Sequence, residues 1–136
     1  MRKMTDTKIS FRVPGEPVPM PRPITVTKAG KTWTFSGNKA SRQYAKDIRM
    51  CCYRVSLQPH HFDAASLKLF LWTEKKVDVD NVAKAVMDAL TGVLWDNDKI
   101  VWNLNVVRMD GVGAHQSSET EIEVIGEEPE HTQRTL

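Results

Sequence analysis

A chain of 136 residues is long enough for one hydrophobic core and too short for two independent ones, so residues 1–136 read as a single domain and a modular enzyme is excluded. Its composition, 40% hydrophobic and 26% charged with seven Gly and seven Pro, excludes a disordered or fibrous chain, and no apolar run approaches the roughly 20 residues of a membrane span. The net charge of +2 hides a gradient, because residues 1–49 hold eleven Lys or Arg against three Asp or Glu while residues 119–136 hold one Arg and six Glu.

The polar start of the chain lacks the apolar block of a signal peptide, so a cytoplasmic protein is expected. Residues 8–13 alternate Ile9, Phe11 and Val13 with Lys8, Ser10 and Arg12, the period of a half-buried strand. Pro14, Pro17, Pro19, Pro21 and Pro23 then fit neither a helix nor a central strand, and predict a stiff extended loop carrying Arg22. Two β-type runs, 24–27 and 32–35, flank Lys28-Ala29-Gly30-Lys31 and read as a hairpin with a basic tip. Ser36 and Asn38 are candidate caps for a helix over 39–55, with Tyr44, Ile48, Cys51 or Cys52, and Val55 on its apolar face and Arg42, Lys46 and Arg49 on another. The adjacent Cys51 and Cys52 have neither disulfide nor zinc spacing and read as core packing in a reducing compartment.

Leu67, Leu69 and Leu71 mark a strand running to about Thr73, and Phe70 and Trp72 suggest that its other face is also covered. His60, His61, His115 and His131 lack metal-ligand spacing and read as surface residues. The second helix has the clearest limits: Asp80 to cap it, Val82, Ala85, Val86, Ala89 and Leu90 as its apolar stripe, and Gly92 where a left-handed residue ends it. Strands over 100–109 and 120–125, joined by a turn at 111–113, complete the chain, and the acidic tail from about residue 126 is expected to fray. The order strand, hairpin, helix, strand, helix, strand, strand implies an α/β or α+β domain, one mixed β-sheet packed with two main helices.

Three carboxylates stand out by their settings. Asp78 and Asp80 lie where a strand gives way to a helix, where extended backbone would point both side chains the same way. Asp98 precedes the next strand, and pairing of the two strands would bring it beside them. Crowded carboxylates repel unless a divalent cation lies between them, and an all-oxygen set suits Mg²⁺ or Mn²⁺. The competing structural reading makes Asp80 an N-cap and Asp96, Asn97 and Asp98 a turn. A calcium loop opening at Asp78 is excluded, because Val82, Ala83 and Ala89 stand where a ligand, the turn glycine and the bidentate glutamate are required. Lys84, four residues after Asp80 and four before Asp88, is either a surface ion-pair partner or a fixed cation for charge developing on a phosphate.

The run Val77-Asp78-Val79-Asp80-Asn81-Val82-Ala83-Lys84-Ala85-Val86-Met87-Asp88-Ala89-Leu90-Thr91-Gly92, followed by Trp95 and Asp98, resembles the RusA family of Holliday junction resolvases. That family's motif is an Asp-x-Asp-Asn opening a helix with Lys, then Asp-Ala-Leu, then a Trp and an acidic cluster. Pro14-Gly15-Glu16-Pro17 with Pro21-Arg22 resembles its N-terminal pattern. The resemblance implies a RusA-like fold and a homodimeric endonuclease. Such an enzyme binds four-way DNA junctions and cuts symmetric strands with Mg²⁺, Mn²⁺ substituting, and without an organic cofactor or a membrane. It matches Asp78, Asp80 and Asp98 to metal-binding catalytic acids and Lys84 to the essential lysine. One departure is Asn97, where the family has a second acid, with Asp96 as the candidate substitute. Arg22, Lys28, Lys31, Arg42, Lys46, Lys75 and Lys76 are candidates for holding the DNA backbone, and exposed apolar rows at the sheet edges are candidates for the dimer surface. Two other readings stay open: a junction-binding protein whose cleavage is lost with the broken acidic cluster, and a single-strand-binding module stacking bases on Trp33 and Phe35.

Overall fold

The computed structural model describes residues 4–21, 24–35, 38–112 and 117–129, with Ile24 and Phe35 described as backbone alone. Arg22, His115, His131 and the chain from residue 130 therefore lie outside the described residues, as does the Phe35 side chain. The first strand, β1 (Met4–Pro14), is longer than its apolar alternation, because its polar first half pairs with the far end of the last strand, Met4 opposite Pro129. The hairpin of β2 (Ile24–Lys28) and β3 (Lys31–Phe35) turns through Ala29 and Gly30 at φ of 54° and 77°, the left-handed pair that a tight two-residue hairpin needs. It forms a two-stranded sheet of its own and does not join the main sheet as expected.

Helix α1 (Lys39–Val55) begins in a capping box: Ser41 N–H donates to Asn38 Oδ1, and Asn38 N–H donates to Ser41 Oγ. Tyr44, Ile48 and Cys52 are buried along one face, whereas Val55 at the last turn is exposed, contrary to expectation. Cys52 is wholly buried and Cys51 packs against the core; burial pushes the Cys52 thiol up to about 11, so it is an inert packing residue. Strand β4 (Ala64–Trp72), helix α2 (Val79–Leu90), strand β5 (Val101–Arg108) and strand β6 (Glu119–Pro129) complete the order. The main sheet runs β1-β6-β4-β5, with β4 and β5 parallel and the other pairs antiparallel. A parallel pair needs a crossover that returns the chain to the starting end of the sheet, and α2 is that crossover.

Leu67, Leu69 and Leu71 of β4 point to the helices and join Val82, Val86, Leu90 and Ile48 in the core. The opposite face of β4 is only half-buried, not covered. Trp72 Nε1–H donates to Glu121 at 2.8 Å, and Arg12 bridges Glu119 and Glu121 at 2.7 and 3.0 Å. No helix among the described residues is long and apolar enough to cross a membrane.

Strand β6 continues four residues beyond Ile125, so 126–129 is paired strand and not the start of a free tail. The Phe62 ring lies against Gly126, and Glu128 is buried beside His60. His60, expected at the surface, keeps only 13% of its side chain exposed. Its Nδ1 lies 3.2 Å from both Glu128 oxygens, its Nε2 lies 3.0 Å from Ser56 Oγ, and its ring stacks on Phe62 at 4.8 Å. His61 is exposed as expected, with Nδ1 2.9 Å from Asp96.

Candidate active site

The start of α2 carries the first two acids. Asp78, not Asp80, is the N-cap: its backbone is extended, and its carboxylate accepts from the Asn81 N–H at 3.3 Å and from Asn81 Nδ2 at 2.9 Å. Either aspartate can cap, but Val79 packs against the core and draws the helix start two residues earlier. Asp80 is consequently helical, exposed and in the first turn, where the macrodipole favours an anion. The two carboxylates thus share one helix terminus without both leaving extended backbone.

The proline-rich loop docks onto this terminus. Met20 N–H donates to the Asn81 carbonyl at 2.9 Å, Pro17 is buried, and Val18 and Met20 pack on the core. Glu16 ties the loop to the end of β4 and the start of β6: its carboxylate accepts from Thr73 Oγ1 at 2.6 Å and from Ser118 Oγ, while Gly15 N–H donates to the Ser118 carbonyl. Thr73 Oγ1 in turn accepts from the Lys75 N–H at 3.0 Å, fixing the segment that leads to Asp78.

The hydroxyl bonds from Ser118 and Thr73 hold the Glu16 carboxyl below the usual glutamate range. With the folded value depressed, the unfolded chain binds more protons in acid. The stabilisation is therefore present above the unfolded value of about 4.3 and lost as pH falls through the folded value. Glu16→Gln is expected to flatten the acid limb of stability, read as the urea midpoint followed from neutral pH into acid.

Lys84 stands one turn beyond Asp80 and, with Arg42 and Arg49 of α1, lines a groove between the two helices that Met20, Pro21 and Asp88 also border. Partial burial and the charge of Asp98 raise the Asp88 carboxyl, and Lys84 opposes them. The exposed row of α2 is thus Asp80, Lys84, Asp88. Arg49, on the basic face of α1 with Arg42, lines the Lys84 groove as well and was missed among the candidate DNA contacts. Lys28 and Lys31 face each other across the exposed hairpin tip, Lys75 and Lys76 are exposed just before Asp78, and Lys46 is exposed on α1.

Asp98 lies at the other end of α2. It opens a 3₁₀ turn (Asp98–Ile100) leading into β5, and its charge is felt by Asp88. Asn97, at the position of the family's second acid, caps this turn by accepting the Lys99 N–H at 2.9 Å. Fully buried Trp95 anchors the connection, its Nε1–H donating to Thr91 Oγ1 at 3.1 Å and its carbonyl accepting from Gly92 N–H at 2.7 Å. Strand β5 does pair with β4, but in parallel, so it starts where α2 ends. From Asp80 to Asp88 is about 12 Å of helix. The expected meeting of Asp98 with Asp78 and Asp80 therefore does not occur within one chain, and no group of three His, Cys, Asp or Glu among the described residues could hold a metal. Asp78 and Asp80 alone fit Mg²⁺, which is held through one or two carboxylates while water and substrate phosphate complete its shell.

Residues 14–125 match the family model described as Endodeoxyribonuclease RusA. No curated protein sequence gives a significant match. Among solved structures, the chain is similar to the bifunctional IspDF from Campylobacter jejuni (8% identity, 95% of this chain and 43% of that one, TM-score 0.44). It is also similar to IspF of Plasmodium falciparum in its CDP complex (10% identity, 96% and 97%, TM-score 0.38). The 2C-methyl-D-erythritol 2,4-cyclodiphosphate synthase of Plasmodium vivax gives 9% identity, 96% and 99% coverage and a TM-score of 0.34. The chain spans less than half the length of the first of these, and none of the three likenesses extends to function.

Proposed function

This chain belongs to the RusA endodeoxyribonuclease family, and on that premise we propose that it resolves four-way DNA junctions by paired, symmetric, Mg²⁺-dependent hydrolysis of phosphodiesters, with Mn²⁺ able to substitute. The observation that carries the reading is the start of α2: two carboxylates at a helix terminus, a lysine one turn on, and an arginine-lined groove beside it. Asp78 and Asp80 would hold the cation, which when bound supplies positive charge at the scissile phosphate. Asp80, which is not the cap, would accept the proton of an attacking water. The water oxygen adds to phosphorus, the bond to the leaving sugar oxygen breaks, and Lys84 offsets the charge that develops on the phosphate oxygens.

Arg42 and Arg49 hold the backbone alongside, while Lys75, Lys76 and the hairpin lysines extend the basic surface. Such contacts position DNA without reading its sequence, so junction shape sets the specificity. Arg42→Ala is expected to weaken junction binding and reduce the salt slope of the affinity by about 1, measured by titration at several salt concentrations. The proposal as a whole is tested by Mg²⁺-dependent cleavage of a synthetic junction, with Asp80→Asn as the control. Tight binding without cleavage would leave a branched-DNA-binding protein.

A further inference from the structure

We propose that Ser56, His60 and Glu128 form a second, metal-independent reaction centre, a nucleophile, base and carboxylate in series that hydrolyses carboxylic esters with small apolar acyl groups. The three gather where β1 begins and β6 ends, at the end of the sheet where β4 starts. The length of β4, about 26 Å, separates them from the strand end that leads to Asp78, so the centre does not depend on the nuclease reading.

The contacts run in the order that nucleophilic catalysis needs. Ser56 Oγ lies 3.0 Å from His60 Nε2, and His60 Nδ1 lies 3.2 Å from both Glu128 oxygens. With Glu128 accepting, the proton of the neutral ring sits on Nδ1, which leaves Nε2 to accept from the Ser56 hydroxyl. The hydroxyl's other acceptor, the Gln58 carbonyl, is farther away at 3.3 Å. Thr7 Oγ1 donates to Glu128 Oε1 at 3.2 Å and steadies the carboxylate from β1. The ring is held by its stack on Phe62, and the His60 and Phe62 N–H groups donate to the Val93 and Leu94 carbonyls at 3.4 and 2.9 Å. Base and carboxylate are thus shielded, with 13% and 10% of their side chains exposed, whereas Ser56 is half-buried and reachable.

Ser56 Oγ adds to the ester carbonyl carbon as its proton passes to His60 Nε2, and the carbonyl electron pair moves onto oxygen. When that pair returns, the bond to the alcohol oxygen breaks and the alcohol leaves with the proton from His60. Water attacks the acyl group on Ser56 in the same way, giving its proton to Nε2, and the released acid leaves the serine restored. Glu128 acts through His60 as a positioning residue and offsets the charge of the protonated ring. The N–H groups of Leu57 and Gln58, directly after the nucleophile, donate to no acceptor among the described residues and supply donors for the charged carbonyl oxygen. Val55 and Leu57, both exposed beside Ser56, offer apolar surface to the acyl group.

The test treats the full chain, in EDTA to keep metal-dependent cleavage silent, with a fluorophosphonate and with 4-nitrophenyl butyrate. Peptide masses locate the label, and absorbance follows 4-nitrophenolate. The Ser56 oxygen should displace fluoride from phosphorus, so the label should sit on Ser56. Ser56→Ala removes one hydroxyl and should lose both label and turnover. His60→Gln should slow turnover by roughly 10²–10⁴-fold. Glu128→Gln should lower kcat with KM little changed, a split that loss of a merely structural carboxylate would not produce in the folded protein. An unlabelled Ser56 in folded wild type, or ester turnover that survives Ser56→Ala, overturns the centre and leaves the nuclease reading untouched.

Discussion

Asp80→Asn is expected to slow junction cleavage by roughly 10²–10³-fold while junction affinity stays the same or tightens slightly. The side chain is exposed and the N-cap is Asp78, so the substitution removes no structural bond of the helix. Its cost to folding is the loss of one favourable charge in the first turn, about 0.3–1 kcal/mol. Rate and stability therefore separate, with single-turnover cleavage collapsing while the thermal midpoint barely moves. Asp78→Asn should behave alike, because Asn is also a good N-cap, whereas Asp78→Ala adds roughly 1 kcal/mol of destabilisation from the lost cap. Gel shift in EDTA supplies the affinity, and a parallel fall in affinity and rate would argue that Asp80 shapes the surface and not the reaction.

Gly126→Ala is expected to destabilise the fold by roughly 3 kcal/mol, a large effect for one methyl group. Gly126 lies on β6 with the Phe62 ring directly against it, and an added Cβ would fall within contact of three ring atoms at once. Phe62 is buried and stacked on His60, which is itself bonded to Glu128 and Ser56, so the ring cannot shift without breaking that network. The thermal midpoint should fall by on the order of 10 °C. Phe62→Leu should be costly by itself yet lessen the penalty of Gly126→Ala, a coupling that a double-mutant cycle measures. Full additivity would mean that the ring and the glycine do not share the space that the structure gives them.

Much of the architecture is legible in the residues because local signals agree. Helix α1 keeps its predicted limits since Asn38 and Ser41 form a reciprocal cap just ahead of an apolar stripe. Helix α2 starts two residues early because Asp78 and Asp80 are equally able to cap, and the packing of Val79 decides between them. The extensions of β1 and β6 are unreadable locally: Met4 to Thr7 and Gly126 to Pro129 are polar or broken in pattern, and each is strand because the other is its partner.

The members of the site are legible by residue type and spacing, but their separation is a matter of topology. A strand that returns through a helix to pair in parallel must start at the far end of that helix. Asp98 is accordingly set apart from Asp78 and Asp80, although β4 and β5 pair as expected. The role of Glu16 is hidden for a similar reason, since its partners Thr73 and Ser118 are distant in sequence.

The most direct test incubates the wild-type protein with a four-way junction labelled on each strand in turn, with Mg²⁺ and with EDTA, beside intact duplex of the same sequence. Paired nicks at symmetric positions in opposing strands, present only with Mg²⁺ and absent from the duplex, are the predicted result. Equal cleavage of duplex and junction, or tight junction binding with no cut under Mg²⁺ or Mn²⁺, would contradict it.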